Sequence, residues 1–347
     1  MSDYALLVAP SVNRVYAADA PRLLAAELDI TMAALGLAGD AVRLEAIAGL
    51  DYLLLSGIGD EARLAALVAS SSAAYALFAR EGALLRPVEL PATARFSDDL
   101  VTIQKYTGKT NEQLTTLLMN VTLAASARPQ LLTGGRAKLL DPVCGRGTTL
   151  NLALRRGFDG YGVDVDRKDV EAYSVFLKTW ARTHRLPHTH SFAPVRRHKK
   201  TIAQRLDVEL FTDRAAQRSG HGQRVAVAVA DTTAVTELFA EGTMDAVVGD
   251  LPYGVAHGAH RGHDLDRRAD DLVAAAMPSW ARMLKPGGAL GLSFNTKTLA
   301  RADVEDACRR VGLQVAPYGD RFAHRVDASI ARDLVVASRP AAGSAAA

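Results

Sequence analysis

The chain is short of cysteine, of net charge and of long hydrophobic runs, and each shortage removes a class of protein. Two cysteines in 347 residues, Cys144 and Cys308, are too few for a disulfide framework or a four-thiolate zinc site. A reducing cytoplasm suits that usage. No uninterrupted apolar stretch approaches the ~18 residues of a membrane span. The opening MSDYALLVAPSVNRVYAAD lacks a basic segment followed by a long apolar one, so no signal peptide is read there. A soluble cytoplasmic protein is the expectation. Basic and acidic side chains nearly cancel, 41 against 38 for a formal charge of +3, so any partner must be sought in the distribution of charge. No internal repeat is present.

What is there is core material: 49% of the residues are hydrophobic, and the length accommodates two domains. Residues 1–95 alternate strand and helix signals. A strand is predicted at 4–9, a helix at 20–37 (Leu23, Leu24, Leu28, Met32 and Leu35 at helical spacing), and two short strands within 44–56. A second helix at 60–80 and a strand at 84–90 complete a small split βαβ domain. Residues 96–130 predict a connector, with the polar stretch KYTGKTNE at 105–112 and a helix at 113–126. From Lys138 onward, strand, glycine-rich turn and helix repeat, the pattern of a parallel sheet covered on both faces. This domain is placed at 131–338, and 339–347 is a small-residue tail. One interval breaks the rhythm. Residues 182–224 hold ten Lys or Arg against three acids, and five of the nine histidines, as a basic insertion between two elements of the sheet domain.

The chemistry concentrates at four strand ends. In KLLDPVCGRGTTL (138–150) a strand ends at Asp141 and turns through Cys144, Gly145 and Gly147 into a helix from Thr148. Glycines suit a ligand lying against the backbone there. The turn lacks the Lys-Ser/Thr ending of a triphosphate loop and the GxGxxG spacing of a dinucleotide site. In GYGVDVD (160–166) a second strand ends at Asp164, about twenty residues further on, where a carboxylate accepts both hydroxyls of a ribose. RVAVAVAD (224–231) ends at Asp231, placed to receive an adenine amino group. Acids without a phosphate-binding lysine fit S-adenosylmethionine (SAM), which carries a ribose and no phosphate. The fourth strand, in MDAVVGDLPYG (244–254), runs into Asp250, Leu251, Pro252 and Tyr253. Asp250 and the Leu251 carbonyl can orient an amine, Pro252 keeps the segment extended, and Tyr253 offers a ring for a flat base.

These residues carry a family resemblance. DPVCGRGT followed by DLPYG resembles the Rossmann-like SAM-dependent amino-methyltransferases of RNA and DNA bases, above all the tRNA guanine-N2 methyltransferases that carry a THUMP domain. Their usual patterns are DPFCGSGT and DPPYG. Asp141, Cys144, Gly145, Gly147 and Thr148 match the first, and Asp250, Pro252, Tyr253 and Gly254 match the second. Val143, Arg146 and Leu251 depart. Over residues 96–338 the resemblance implies an α/β fold with a seven-stranded, mostly parallel sheet. It also implies SAM over Asp141–Gly147, Asp164 and Asp231, with the target amine at Asp250–Tyr253. The smaller α/β unit in front would be ferredoxin-like or THUMP-related. Implied partners are RNA, tRNA first, through the basic interval.

Plainer readings stand beside these. The glycine turn alone is also an ordinary tight turn, and Asp250 is also a strand terminator that caps a helix. The basic interval is either a solvated face or a phosphate contact. Residues 105–111 are either a helix-entry loop or part of the ligand site. His257, His260 and His263 read as a polar loop over the site rather than metal ligands, and no metal is expected. Cys144 reads as packing under the cofactor rather than as a nucleophile. A small-metabolite amine is the alternative substrate, and a non-catalytic SAM- or RNA-binding module the third reading.

Overall fold

The first sheet is built by alternation. In a computed structural model, which describes residues 2–341 apart from 11–13, 38, 107, 198, 253–268 and 327–329, the chain begins β1 (Ser2–Val8), α1 (Arg14–Ala34), β2 (Arg43–Ile47), β3 (Leu50–Ile58), α2 (Glu61–Val68), β4 (Ala74–Glu81) and β5 (Leu84–Val88). The strands pair antiparallel in the order β2-β3-β1-β4-β5. Tyr4, Leu6, Leu53, Leu55 and Leu77 turn one way into the main core, while Ala5, Tyr52 and Leu54 form a small patch on the other face. The helix expected at 60–80 stops at Val68, and its second half is β4. The Ser71 hydroxyl donates to the Leu67 carbonyl at 3.0 Å, a local bond that competes with helix continuation. Residues 74–81 gain their backbone partners from β1 instead.

The remainder runs α3 (Asp99–Thr102), α4 (Glu112–Ala124), β6 (Lys138–Asp141), α5 (Thr148–Arg155), β7 (Asp159–Asp164), α6 (Arg167–Thr183), β8 (His188–Arg197) and β9 (Lys200–Leu210). It continues α7 (Arg214–Arg218), β10 (Gln223–Val229), α8 (Val235–Leu238), β11 (Met244–Asp250), α9 (Ala269–Met283) and β12 (Leu284–Asn295). Last come α10 (Arg301–Arg310), β13 (Gln314–Val315), β14 (His324–Arg325) and β15 (Ala331–Ser338). Strands β10-β7-β6-β11-β12 lie parallel. β15 runs antiparallel between β12 and β13.

The expected count of seven strands is too small, because among the described residues this sheet has ten. Much of the basic interval folds into the hairpin β8–β9, which extends the sheet beyond β10, and β14 adds a strand against β15. The Pro-Gly-Gly of residues 286–288 lies within β12 at an irregularity, where the register with β11 shifts between Leu284 and Ala289. Among the described residues no helix is long and apolar enough to cross a membrane.

The parallel strands are near-continuous apolar runs, as burial on both faces requires. Leu139, Ala246 and Val248 face α4 and the first 95 residues, while Leu140, Val247, Leu290 and Leu292 face α9 and α10. One hydrophobic cluster runs from β1 and α1 through α4 to β6 and β11. A buried polar contact crosses the same boundary: the Asn120 amide donates to Glu27 at 2.6 Å and to the Ser70 carbonyl at 2.8 Å, and its oxygen accepts from Arg156.

Candidate active site

Parallel strands end on one edge, and three carboxylates stand there. Asp141, Asp164 and Asp250 are the last residues of β6, β7 and β11. Asp141 is buried and accepts the Val143 N–H at 3.1 Å. Burial pushes its carboxyl up to about 7, and the nearby carboxylates of Asp164 and Asp250 act in the same direction, against the hydrogen bond from Thr149. Asp164 receives the N–H of Gly145 at 2.7 Å and of Asp166 at 2.8 Å. Burial raises it as well, and those two N–H groups pull it back. No basic side chain pairs with Asp141 or Asp164 among the described residues.

The glycine turn is held from below. Gly147 has φ +81, and a Cβ there would come within 2.5 Å of the Tyr173 ring. The Tyr173 hydroxyl donates to Asn151 at 2.9 Å, so the ring under the turn is anchored in α5. Gly145, at φ +49, presents its N–H to Asp164. Cys144 is buried and its N–H donates to the Val163 carbonyl at 3.0 Å. Burial raises its thiol well above the usual range, helped by Asp164 and Asp141, which suits packing rather than nucleophilic attack.

Thr148 is buried at the start of α5, its hydroxyl 3.1 Å from the Tyr106 hydroxyl. The Arg146 guanidinium lies over the Tyr106 ring, 5.0 Å from its centroid, and bonds to Asp169 at 2.8 Å. Tyr106 of the polar stretch therefore lies against the turn, while Asn111 caps α4. Thr110 is anchored at the fourth strand end, its hydroxyl donating to Asp250 Oδ2 at 2.6 Å. Arg332 Nη2 approaches the same oxygen at 3.5 Å.

One expected residue differs in setting. β10 stops at Val229, so Asp231 lies two residues past the strand, exposed, accepting the Thr233 N–H and hydroxyl at 2.9 and 2.7 Å. It caps the short turn that follows, and its neighbour Ala230 bonds to the Asp164 carbonyl at 3.0 Å. Leu251 is buried, with its N–H on the Ser293 carbonyl at 2.8 Å, and Pro252 is exposed. Tyr253, Gly254, His257, His260 and His263 lie outside the described residues, as does most of the tail.

Thr110 and Arg332 escaped the sequence reading. KYTGKTNE marked the neighbourhood of the first without singling out the threonine. Arg332 opens the strand ARDLVVAS, whose apolar run signals a strand and says nothing of what its second residue meets.

The cradle suits a cationic, ribose-bearing ligand. A side chain at Gly147 would run into the Tyr173 ring that supports the turn, Asp141 and Asp164 have no basic partner among the described residues, and Arg146 is turned toward Asp169. That donor set fits SAM and offers no clamp for a polyphosphate.

No protein-family model and no curated protein sequence matches the chain. Solved structures do. A TehB-like SAM-dependent methyltransferase from Corynebacterium glutamicum is 18% identical, with 60% of this chain and 85% of that chain covered and a TM-score of 0.32. TrmN from Thermus thermophilus is 15% identical, with 86% of this chain and 59% of that chain covered at a TM-score of 0.39. Geranyl diphosphate C-methyltransferase from Streptomyces coelicolor is 15% identical, with 65% and 78% covered at 0.37.

Proposed function

We propose that the chain is a SAM-dependent methyltransferase. The more particular reading is an N-methyltransferase of an exocyclic nucleobase amine, guanine N2 in RNA, with tRNA first among RNAs. The observation that carries it is the placement of Asp250 on the same strand-end edge as the ligand-type carboxylates Asp141 and Asp164, with its Oδ2 held by the Thr110 hydroxyl. SAM would supply an electrophilic methyl carbon as part of a sulfonium. Asp141, Asp164 and Asp231 would hold it, with Gly145, Gly147, Cys144 and Thr148 shaping the turn beneath.

An amine conjugated to a purine ring is a weak nucleophile because its lone pair is delocalised. Asp250 would accept an N–H from that amine and fix the direction of the lone pair, which is catalysis by positioning and electrostatics. Leu251 and Pro252 lead the chain out of the strand end. The Leu251 carbonyl and Tyr253 complete the acceptor site in this reading.

The test is incubation of the protein with methyl-labelled SAM and, separately, total RNA, DNA and a small-molecule extract, alongside Asp250→Ala. Label in tRNA that the variant loses supports the reading, and nucleoside digestion names the atom. Label only in small molecules would overturn RNA as substrate, and near-normal turnover by the variant would overturn Asp250.

A further inference from the structure

The ten basic residues of the interval 182–224 do not share a surface, because the strand register divides them. β9 runs antiparallel to β10, with Leu210 opposite Gln223 and Gln204 opposite Val229. Leu210 thus marks the edge where the parallel strands begin. Gln204 marks the edge where they end, at Asp164 and the Asp231 turn. Arg182 and Arg185, at the end of α6, and Arg214 and Arg218 on α7 belong to the starting edge. Arg205 and Arg224 are both bound to Asp207, each at 2.7 Å.

Four cations remain: Arg196, Arg197, Lys199 and Lys200. They occupy the far end of the hairpin, where Arg196 pairs with Thr201 and Arg197 with Lys200. Residues 200–203 of β9 precede Gln204, so at ~3.4 Å per residue the hairpin overhangs the carboxylate edge by about 13 Å. All four side chains are exposed. Among the described residues none of them is in an ion pair, and residues 196–203 contain no acid.

We propose that this hairpin tip is an arm that grips the phosphate backbone of the RNA whose base enters the site at Asp250. The proposal rests on the reading of the chain as an RNA base methyltransferase. The physical argument is charge placement. The strand-end edge carries the acids Asp141, Asp164 and Asp250 and no exposed basic cluster of its own to attract a polyanion among the described residues. Unpaired cations held about 13 Å out from the sheet on a two-stranded ribbon supply that attraction without entering the cofactor cradle. Cations at the opposite edge, or already bound to Asp207, cannot serve.

The probe is a fluorescein-labelled RNA stem–loop, titrated by anisotropy across a salt series with the full chain. The arm variant is R196Q/R197Q/K199Q/K200Q, and the control is R214Q/R218Q on the far edge. The arm variant should bind at least about tenfold more weakly, with the slope of log affinity against log salt reduced by about 3, as loss of four phosphate contacts requires. Its melting temperature and SAM affinity should stay unchanged, and the control should bind like the parent chain. A parent-like slope in the arm variant, or an equal loss in the control, overturns the arm. Polyglutamate competing as well as unlabelled RNA overturns RNA in favour of an acidic protein. If the parent chain binds the RNA through the arm yet methylates none, the function fails and the arm stands. If it methylates RNA and the arm variant keeps the same KM, the arm fails and the function stands.

Discussion

Arg332, the second residue of β15, places its guanidinium 3.5 Å from the carboxylate of Asp250 at the end of β11. The pair joins two strands that are not neighbours, since β12 lies between them. Asp250→Ala should lower kcat/KM by at least about 100-fold, the scale for losing a group that orients the reacting atoms. SAM affinity measured by calorimetry should stay within about twofold in the same variant, well under the ~1.4 kcal/mol of a tenfold change. A parallel collapse of SAM binding would move Asp250 out of the acceptor role and into the cofactor cradle.

Thr110 donates to the same oxygen, so its loss should show in turnover rather than in folding. Thr110→Val removes a hydrogen bond to a charged group, worth about 1.5–3 kcal/mol, and should cost roughly tenfold or more in kcat/KM. Thr110→Ser keeps the hydroxyl and should recover most of it. Equal activity in the valine and serine variants would show that the bond does not position Asp250.

If Asp141 holds the cofactor as proposed, binding should depend on pH. Its folded carboxyl keeps a proton up to about 7, whereas an unfolded aspartate releases it near ~3.9. Between those values the unfolded state binds fewer protons, so stability falls as pH rises through them. A cationic ligand favours the ionised form, so SAM affinity should rise from pH 6 to 8 with proton release on binding. Asp141→Asn cannot ionise and should flatten both trends, read by melting curves and by calorimetry in two buffers of different ionisation enthalpy.

Gly147→Ala tests the floor of the cradle. The substitution combines a left-handed backbone with a Cβ 2.5 Å from the Tyr173 ring. A cost of more than about 2 kcal/mol in urea denaturation is expected, with weakened SAM binding. A neutral result would mean that the turn relaxes freely.

Asn120→Ala probes the junction between the two sheets. It strips a partner from the buried Glu27 and from the half-buried Arg156, and Glu27 is already raised by burial. The expected cost is about 2–4 kcal/mol. Because one hydrophobic cluster crosses the junction, the whole chain should still unfold in one transition by circular dichroism and tryptophan fluorescence. Two separated transitions would show that the first 95 residues fold apart.

The carboxylate edge was legible because strand, acid and glycine occur in fixed local order: β6, β7 and β11 end at the acids that the pattern picked out. The basic interval was legible as charge but not as structure. Its alternating strands carry too many polar residues to signal burial, and only pairing with β10 makes β9 part of the sheet. The over-long helix at 60–80 failed for a related reason. AYALFARE has alanines compatible with either period, and the partner that decided for a strand, β1, lies about seventy residues earlier. Thr110 and Arg332 were invisible because each meets Asp250 only through the fold.

β15 is threaded between β12 and β13, and it brings Arg332 to the acceptor carboxylate. During synthesis every other strand-end acid leaves the ribosome well before this one strand does. The cation beside Asp250 is therefore made some eighty residues after the carboxylate it meets. A chain ending before residue 331 would lack the cation beside Asp250 and also Leu334, Val335, Val336 and Ala337, which this strand sends into the cores on both faces of the sheet.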